Sequence, residues 1–158
     1  MVVMFSSPSY FPCRDGVTKL AHVLVGKKSD STPVIMICGL SGVMEDWLDF
    51  PLVLSKKRQI ALFDNRFLGR SFVANAPSYR WRDQYEAVVD LADHLGWKTF
   101  HLIGWSMGGM IAQAVSSMVP QRVASLVLIG SGASWQPETP PGSFLLFLFF
   151  LLRFQSLK

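Results

Sequence analysis

The chain has 158 residues, half of them apolar, with 15 basic and 11 acidic side chains and a net charge of +4. That length and composition exclude a disordered polypeptide and fit one domain with a packed core. The basic residues are scattered (Lys27, Lys28, Lys56, Lys57, Arg58, Arg66, Arg70, Arg80, Arg82) and form no stripe interleaved with aromatics, which argues against a nucleic-acid surface and for solvated loops.

The N-terminal segment has no basic n-region and no long apolar stretch, so a secretory leader is not expected. Two cysteines, Cys13 and Cys38, cannot build a disulfide framework, and a reducing, cytoplasmic setting is expected. Residues 19–25 (KLAHVLV) read as a strand, followed by a polar turn. Residues 34–38 (VIMIC) are a continuous apolar run, as in a strand buried on both faces of a parallel sheet. A glycine-containing loop leads to a predicted helix over 45–54, and 59–63 (QIALF) is the next buried strand. Residues 64–78 read as a loop rich in Arg, Asn, Gly and Pro.

Asp83 and Glu86 have capping-box spacing. Tyr85, Val88, Ala92 and Leu95 follow at helical intervals, and Gly96 suits the position just past a helix end. Residues 100–104 form a third apolar run. Residues 107–119 carry Ile111, Val115 and Met118 at helical spacing, and Pro120 stops the helix. A fourth apolar run covers 123–129. Strands alternate with helices, so the predicted class is α/β, a mainly parallel sheet with flanking helices.

One junction carries the chemistry. A strand ending at Gly104 and a helix opening at Met107 leave almost no room to turn. The residue at the bend takes strained backbone angles, and its neighbours must be small. Gly104-Trp105-Ser106-Met107-Gly108 is the G-x-S-x-G pattern of a nucleophile elbow. The bend pushes the Ser106 hydroxyl over the end of the sheet. It also aims the Met107 N–H and the positive end of a helix at a developing oxyanion. A tight strand–helix junction that needs small residues only for packing is the bland alternative. A dinucleotide-binding turn is the other, but it needs glycine at position 106 and an acidic residue about 20 positions on. No Asp or Glu lies between Gly104 and Trp135. No cofactor fingerprint and no metal-ligating pattern is read.

At these residues the chain resembles the α/β-hydrolase superfamily over about residues 17–134. Cys38-Gly39-Leu40 stands where the family has His-Gly-x, and the resemblance implies that the Leu40 N–H is the second oxyanion donor. Trp47 matches a common family tryptophan. FDNRFLGRS (63–71) resembles the D-x-R-G-x-G-x-S turn. MGGMIAQ, VPQRV and SLVLIGSGA resemble the run from the elbow helix into the sixth strand. Two residues depart from the pattern. Cys38 replaces a histidine that braces the oxyanion loop, and Phe67 replaces a glycine, which strains the turn if a positive φ is required there.

Serine at the elbow implies acyl transfer on an apolar, ester-like small molecule (ester or thioester), with Ser106 as nucleophile, Leu40 and Met107 as oxyanion donors and Gly104 and Gly108 as elbow glycines. Serine also needs a base and an orienting acid, which the family supplies after the elbow in the order Ser, Asp/Glu, His. His22, His94 and His101 all precede Ser106, and Glu138 is the lone carboxylate after Asp93. The expectation is a core at 1–134 lacking the C-terminal part of the fold. It is followed by a tail at 135–158 that opens a lid helix or is an aberrant C-terminus. The apolar run 144–152 (FLLFLFFLL) would reach only about 14 Å as a helix, too short to span a bilayer but able to touch a membrane surface weakly. This truncated chain is expected to be inactive. The alternative is a non-catalytic fragment or pseudoenzyme, from splicing or gene-model truncation, with a binding role only.

Overall fold

The computed structural model describes residues 7–73 and 80–132. The expectations for Glu138, for 144–152 and for the tail as a whole lie outside the described residues.

Six strands form one sheet: β1 (Ser9–Pro12), β2 (Lys19–Val25), β3 (Val34–Ile37), β4 (Ile60–Phe63), β5 (Phe100–Trp105) and β6 (Val123–Ile129). Their spatial order is β1-β2-β4-β3-β5-β6. β1 and β2 pair antiparallel, and β2 meets β4 antiparallel. From β4 through β3 and β5 to β6 the pairing is parallel. The sheet is thus mainly parallel, as the alternating pattern predicts. β3 and β4 are buried at every position, because parallel strands covered on both faces need apolar side chains on both.

Helices α1 (Phe50–Leu54), α2 (Trp81–His94) and α3 (Met107–Met118) connect the parallel strands. One core layer packs α2 and α3 on the sheet through Ile35, Ile37, Phe63, Leu102, Val88, Leu91, Ile111 and Val115. The opposite face carries Met36, Cys38, Leu62 and Ile103 against Met44 and Trp47. Alternate strand residues serve the two layers, as the period of two requires.

Three local expectations are corrected. The helix over 45–54 is broken into a 3₁₀ turn, Met44–Trp47, and the short α1. Leu48 between them has φ 51°, and Pro51 opens α1; its ring would clash with the preceding turn of a continuous helix. Asp83 does not cap α2. The helix starts two residues earlier with extended Arg80 at the N-cap and no side-chain cap. Asp83 sits in the first turn, its carboxylate drawn to Arg80 (3.2 Å) and Arg66 (4.0 Å). Glu86 turns instead to Arg82 at 2.8 Å. Strand β1 was not expected; with four residues and one buried side chain, Phe11, it shows no period. Gly96 ends α2 at φ 68° as expected.

No described helix is long and apolar enough to cross a membrane.

Candidate active site

The site grows from the end of β5. Trp105 closes the strand, Met107 opens α3, and Ser106 alone makes the bend. It adopts φ 53° and ψ −122°, a backbone state that costs a residue with a Cβ about 1–3 kcal/mol and persists only where its surroundings enforce it. They do so here. The Ser106 N–H donates to Ile129 O (2.9 Å), and the Gly109 N–H donates to Ser106 O (3.0 Å). A Cβ on Gly104 would lie inside contact distance of the Gly108 carbonyl, and one on Gly108 inside that of the Ile37 carbonyl. Glycine at both positions lets α3 rest directly on β5 and β3. Ser106 is half-buried rather than sealed, and stands at the carboxyl ends of the parallel strands. Met107, also half-buried, sets its peptide at the positive end of the twelve-residue α3.

The loop after β3 lies against this bend. A Cβ on Gly39 would come 3.1 Å from Ser106 Cβ and 3.3 Å from the Trp105 ring. An added Cβ would force the serine or the indole to give way by a few tenths of an ångström, so the loop that continues into Leu40 is packed tightly against the bend. Three contacts brace the loop. The Cys38 thiol donates to Val43 O at 3.2 Å. Asn65 Nδ2 donates to Cys38 O at 3.0 Å, and the Met44 N–H donates to the fully buried Asp64 carboxylate at 2.9 Å. The cysteine in the family's histidine position therefore still makes a brace, through sulfur. Burial pushes that thiol up to about 12, so it stays protonated at neutral pH.

Asp64 and Asn65 open the FDNRFLGRS turn, and sequence reasoning assigned them no part in the loop's support. Asp64 also accepts the Arg70 N–H (2.9 Å). Ser71 Oγ donates to Asp64 O (2.6 Å) and accepts the Ala21 N–H (3.0 Å). Gly69, at φ 54°, is closed to any Cβ by the Asp64 carboxylate itself. Their signal was the motif; their role needed the loop 20 to 27 residues upstream.

Phe67 in this turn has φ 69°, so the replacement of glycine does strain the backbone. Left-handed φ costs about 1–2 kcal/mol for a residue with a Cβ, against about 0.5–1 kcal/mol of extra unfolded-state freedom for glycine. Phe67 is 46% exposed, and the Arg66 guanidinium lies 6.0 Å from its ring centroid, so truncation also gives up part of its burial and this contact. These losses offset the relieved strain, and Phe67→Gly is expected to stay within about 1 kcal/mol of wild type, read from the urea midpoint.

The three histidines lie away from the bend. His101 is the second residue of β5, five residues before Ser106, about 16 Å at roughly 3.3 Å per residue. Its Nδ1 meets Ser125 Oγ at 2.7 Å, and burial, aided by nearby Arg58, lowers its pKa. His22 on β2 is three strand spacings from β5, about 14 Å at roughly 4.8 Å each. It is buried edge-on to Phe11 and His94, and desolvation, then the His94 charge, lower its pKa. The Ser106 hydroxyl makes no cap on α3.

A serine bent over the carboxyl edge of a parallel sheet, between a helix N-terminus and a glycine loop, has the backbone geometry of a nucleophile elbow. A sequence profile described as alpha/beta hydrolase fold matches residues 32–157. The chain belongs to the α/β-hydrolase fold family. No curated protein matches it. Among solved structures it is similar to a hydrolase from Pseudomonas aeruginosa, at 26% identity and a TM-score of 0.75, covering 82% of this chain and 48% of that one. It is similar in fold to an alpha/beta hydrolase from Novosphingobium aromaticivorans (24% identity, TM-score 0.76, 92% and 50% covered). It is likewise similar to a thermophilic esterase from Thermogutta terrifontis (23% identity, TM-score 0.75, 89% and 50% covered). The chain spans about half the length of each of these structures.

Proposed function

We propose that this chain carries the nucleophile half of a serine hydrolase that transfers acyl groups from apolar, ester-like small molecules. Ser106 Oγ attacks the carbonyl carbon. The Leu40 and Met107 N–H groups receive the oxyanion, and Gly104 and Gly108 hold the bend. The observation that carries this reading is the strained backbone of Ser106, φ 53° and ψ −122°, with Gly39 of the preceding loop packed tightly against it. Family membership and the esterase-like neighbour support the substrate class.

The chain by itself is inactive on this reading. Serine near its free pKa needs a base to remove its proton as it attacks, and His22, His94 and His101 are spent on the sheet and its far edge. Loss of the base lowers turnover on the order of 10⁴–10⁶-fold.

A fluorophosphonate probe tests both parts, with Ser106→Ala as the control. The folded wild type is expected to label no faster than Ser106→Ala. With added imidazole as an external base, an activated acyl ester is expected to acylate wild type and not Ser106→Ala. Labelling of Ser106 without imidazole overturns the inactivity. Equal behaviour of the two proteins in both arms overturns acyl transfer and leaves a binding-only fragment as the better reading.

A further inference from the structure

The sequence holds its lysines in separate groups, and the fold collects two of them. Gly26 packs on the turn that follows α1: a Cβ there would lie 2.8 Å from Ser55 O and 3.1 Å from Arg58 O. The Arg58 guanidinium donates to Thr32 O at 3.2 Å and closes the same corner. Lys27 and Lys28, just past Gly26, therefore border Lys56, Lys57 and Arg58. The four lysines are exposed, and none enters an ion pair among the described residues. Asp30 and Asp49 are the acids of the same two segments. Five cations against two anions leave an excess of three positive charges at one corner.

The neighbouring surface is apolar. Leu48 is 63% exposed, Phe50 41%, Leu52 42% and Val53 59%, four large side chains within six residues. Phe50 stacks on the buried Trp47 at 6.2 Å, which roots the ridge in the core. The helical turn runs on past α1, with the Ser55 N–H donating to Pro51 O and the Lys57 N–H to Leu54 O. Lys56 thus follows Leu52 and Val53 by one turn. A short apolar ridge with a lysine rim is the pattern of a segment that lies in a bilayer interface, its apolar side chains among the acyl chains and its cations at anionic headgroups. The ridge is mainly aliphatic, with Phe50 its one exposed ring, whereas single-strand binding surfaces use several aromatic platforms, so the same charge fits a lipid surface better than a nucleic acid.

We propose that the α1 ridge and its lysine rim dock this protein on an anionic lipid bilayer. The inference is independent of the chemistry at Ser106.

Co-sedimentation tests it, with vesicles of phosphatidylcholine and phosphatidylserine in equal parts against phosphatidylcholine alone. The full chain is expected to bind the anionic vesicles, and high salt weakens the binding because exposed charges are screened. The double variant Lys56→Glu/Lys57→Glu is expected to bind at least about tenfold more weakly. Leu52→Ser/Val53→Ser is expected to lose several-fold at unchanged charge. All four positions are exposed, so circular dichroism is expected to show both variants folded; if one pair unfolds, the other decides. Wild-type binding by both variants overturns the proposal, since the residues at 144–152 are intact in each. So does equal binding to the two vesicle types. Two further results also overturn it: Leu52→Ser/Val53→Ser dissociating a dimer in lipid-free sedimentation, or tighter binding to single-stranded DNA than to vesicles.

Discussion

Gly108→Ala will cost about 4 kcal/mol or more and leave little folded protein. The added methyl would stand against the backbone carbonyls of Ile37, the last residue of the central strand, and of Cys38 just past it, and these cannot swing aside like a side-chain tip. α3 would have to lift off β3, opening contacts in the layer that holds Ile111, Ala112 and Val115. Alanine's better helix propensity returns only about 1 kcal/mol, so the clash decides the sign. Total stabilities of small domains are about 5–15 kcal/mol, and this loss consumes much of that. Urea unfolding checks it. Gly96→Ala is the control: a Cβ there meets nothing within 4 Å, and only the φ of 68° is strained, which costs about 1 kcal/mol. Equal midpoints for the two variants would refute the close helix–strand contact.

Asp64→Ala is expected to cost about 2–4 kcal/mol, chiefly from backbone donors left without an acceptor, since Arg70 is 40% exposed and keeps Glu45 as a partner. Its carboxylate accepts the N–H groups of Met44 and Arg70 and faces the Arg70 guanidinium. Alanine leaves two backbone donors without an acceptor, each worth about 1–3 kcal/mol when buried. Asp64→Asn keeps one acceptor oxygen but turns an amide N–H₂ toward a donor, so roughly half the loss is expected. Amide exchange at Met44 distinguishes local from global damage. If Met44 exchanges no faster in Asp64→Ala than in wild type, the carboxylate does not hold the loop beside Ser106.

Much of the architecture is legible in the chain because its signals are local. The apolar runs at 34–38, 59–63, 100–104 and 123–129 predict β3, β4, β5 and β6 to within a residue or two. The glycines at 104 and 108 require a sharp bend at Ser106 whatever lies around it. Short or competing signals are not legible. β1 is too brief to show a period. The capping pattern at Asp83 yields to Arg66 and Arg80, which compete for the same carboxylate, and Pro51 divides a stretch whose composition alone suits one helix.

The order of strands and helices along the chain and the bend at Ser106 follow from the sequence by itself, since each depends on residues only a few positions apart. Tertiary structure alone decided that Asp64 and Asn65 support the loop carrying Leu40 and that lysines 28 positions apart share one corner. These are contacts between segments distant in the chain. Their energies depend on the burial and proximity that the whole sheet creates, which no local pattern records.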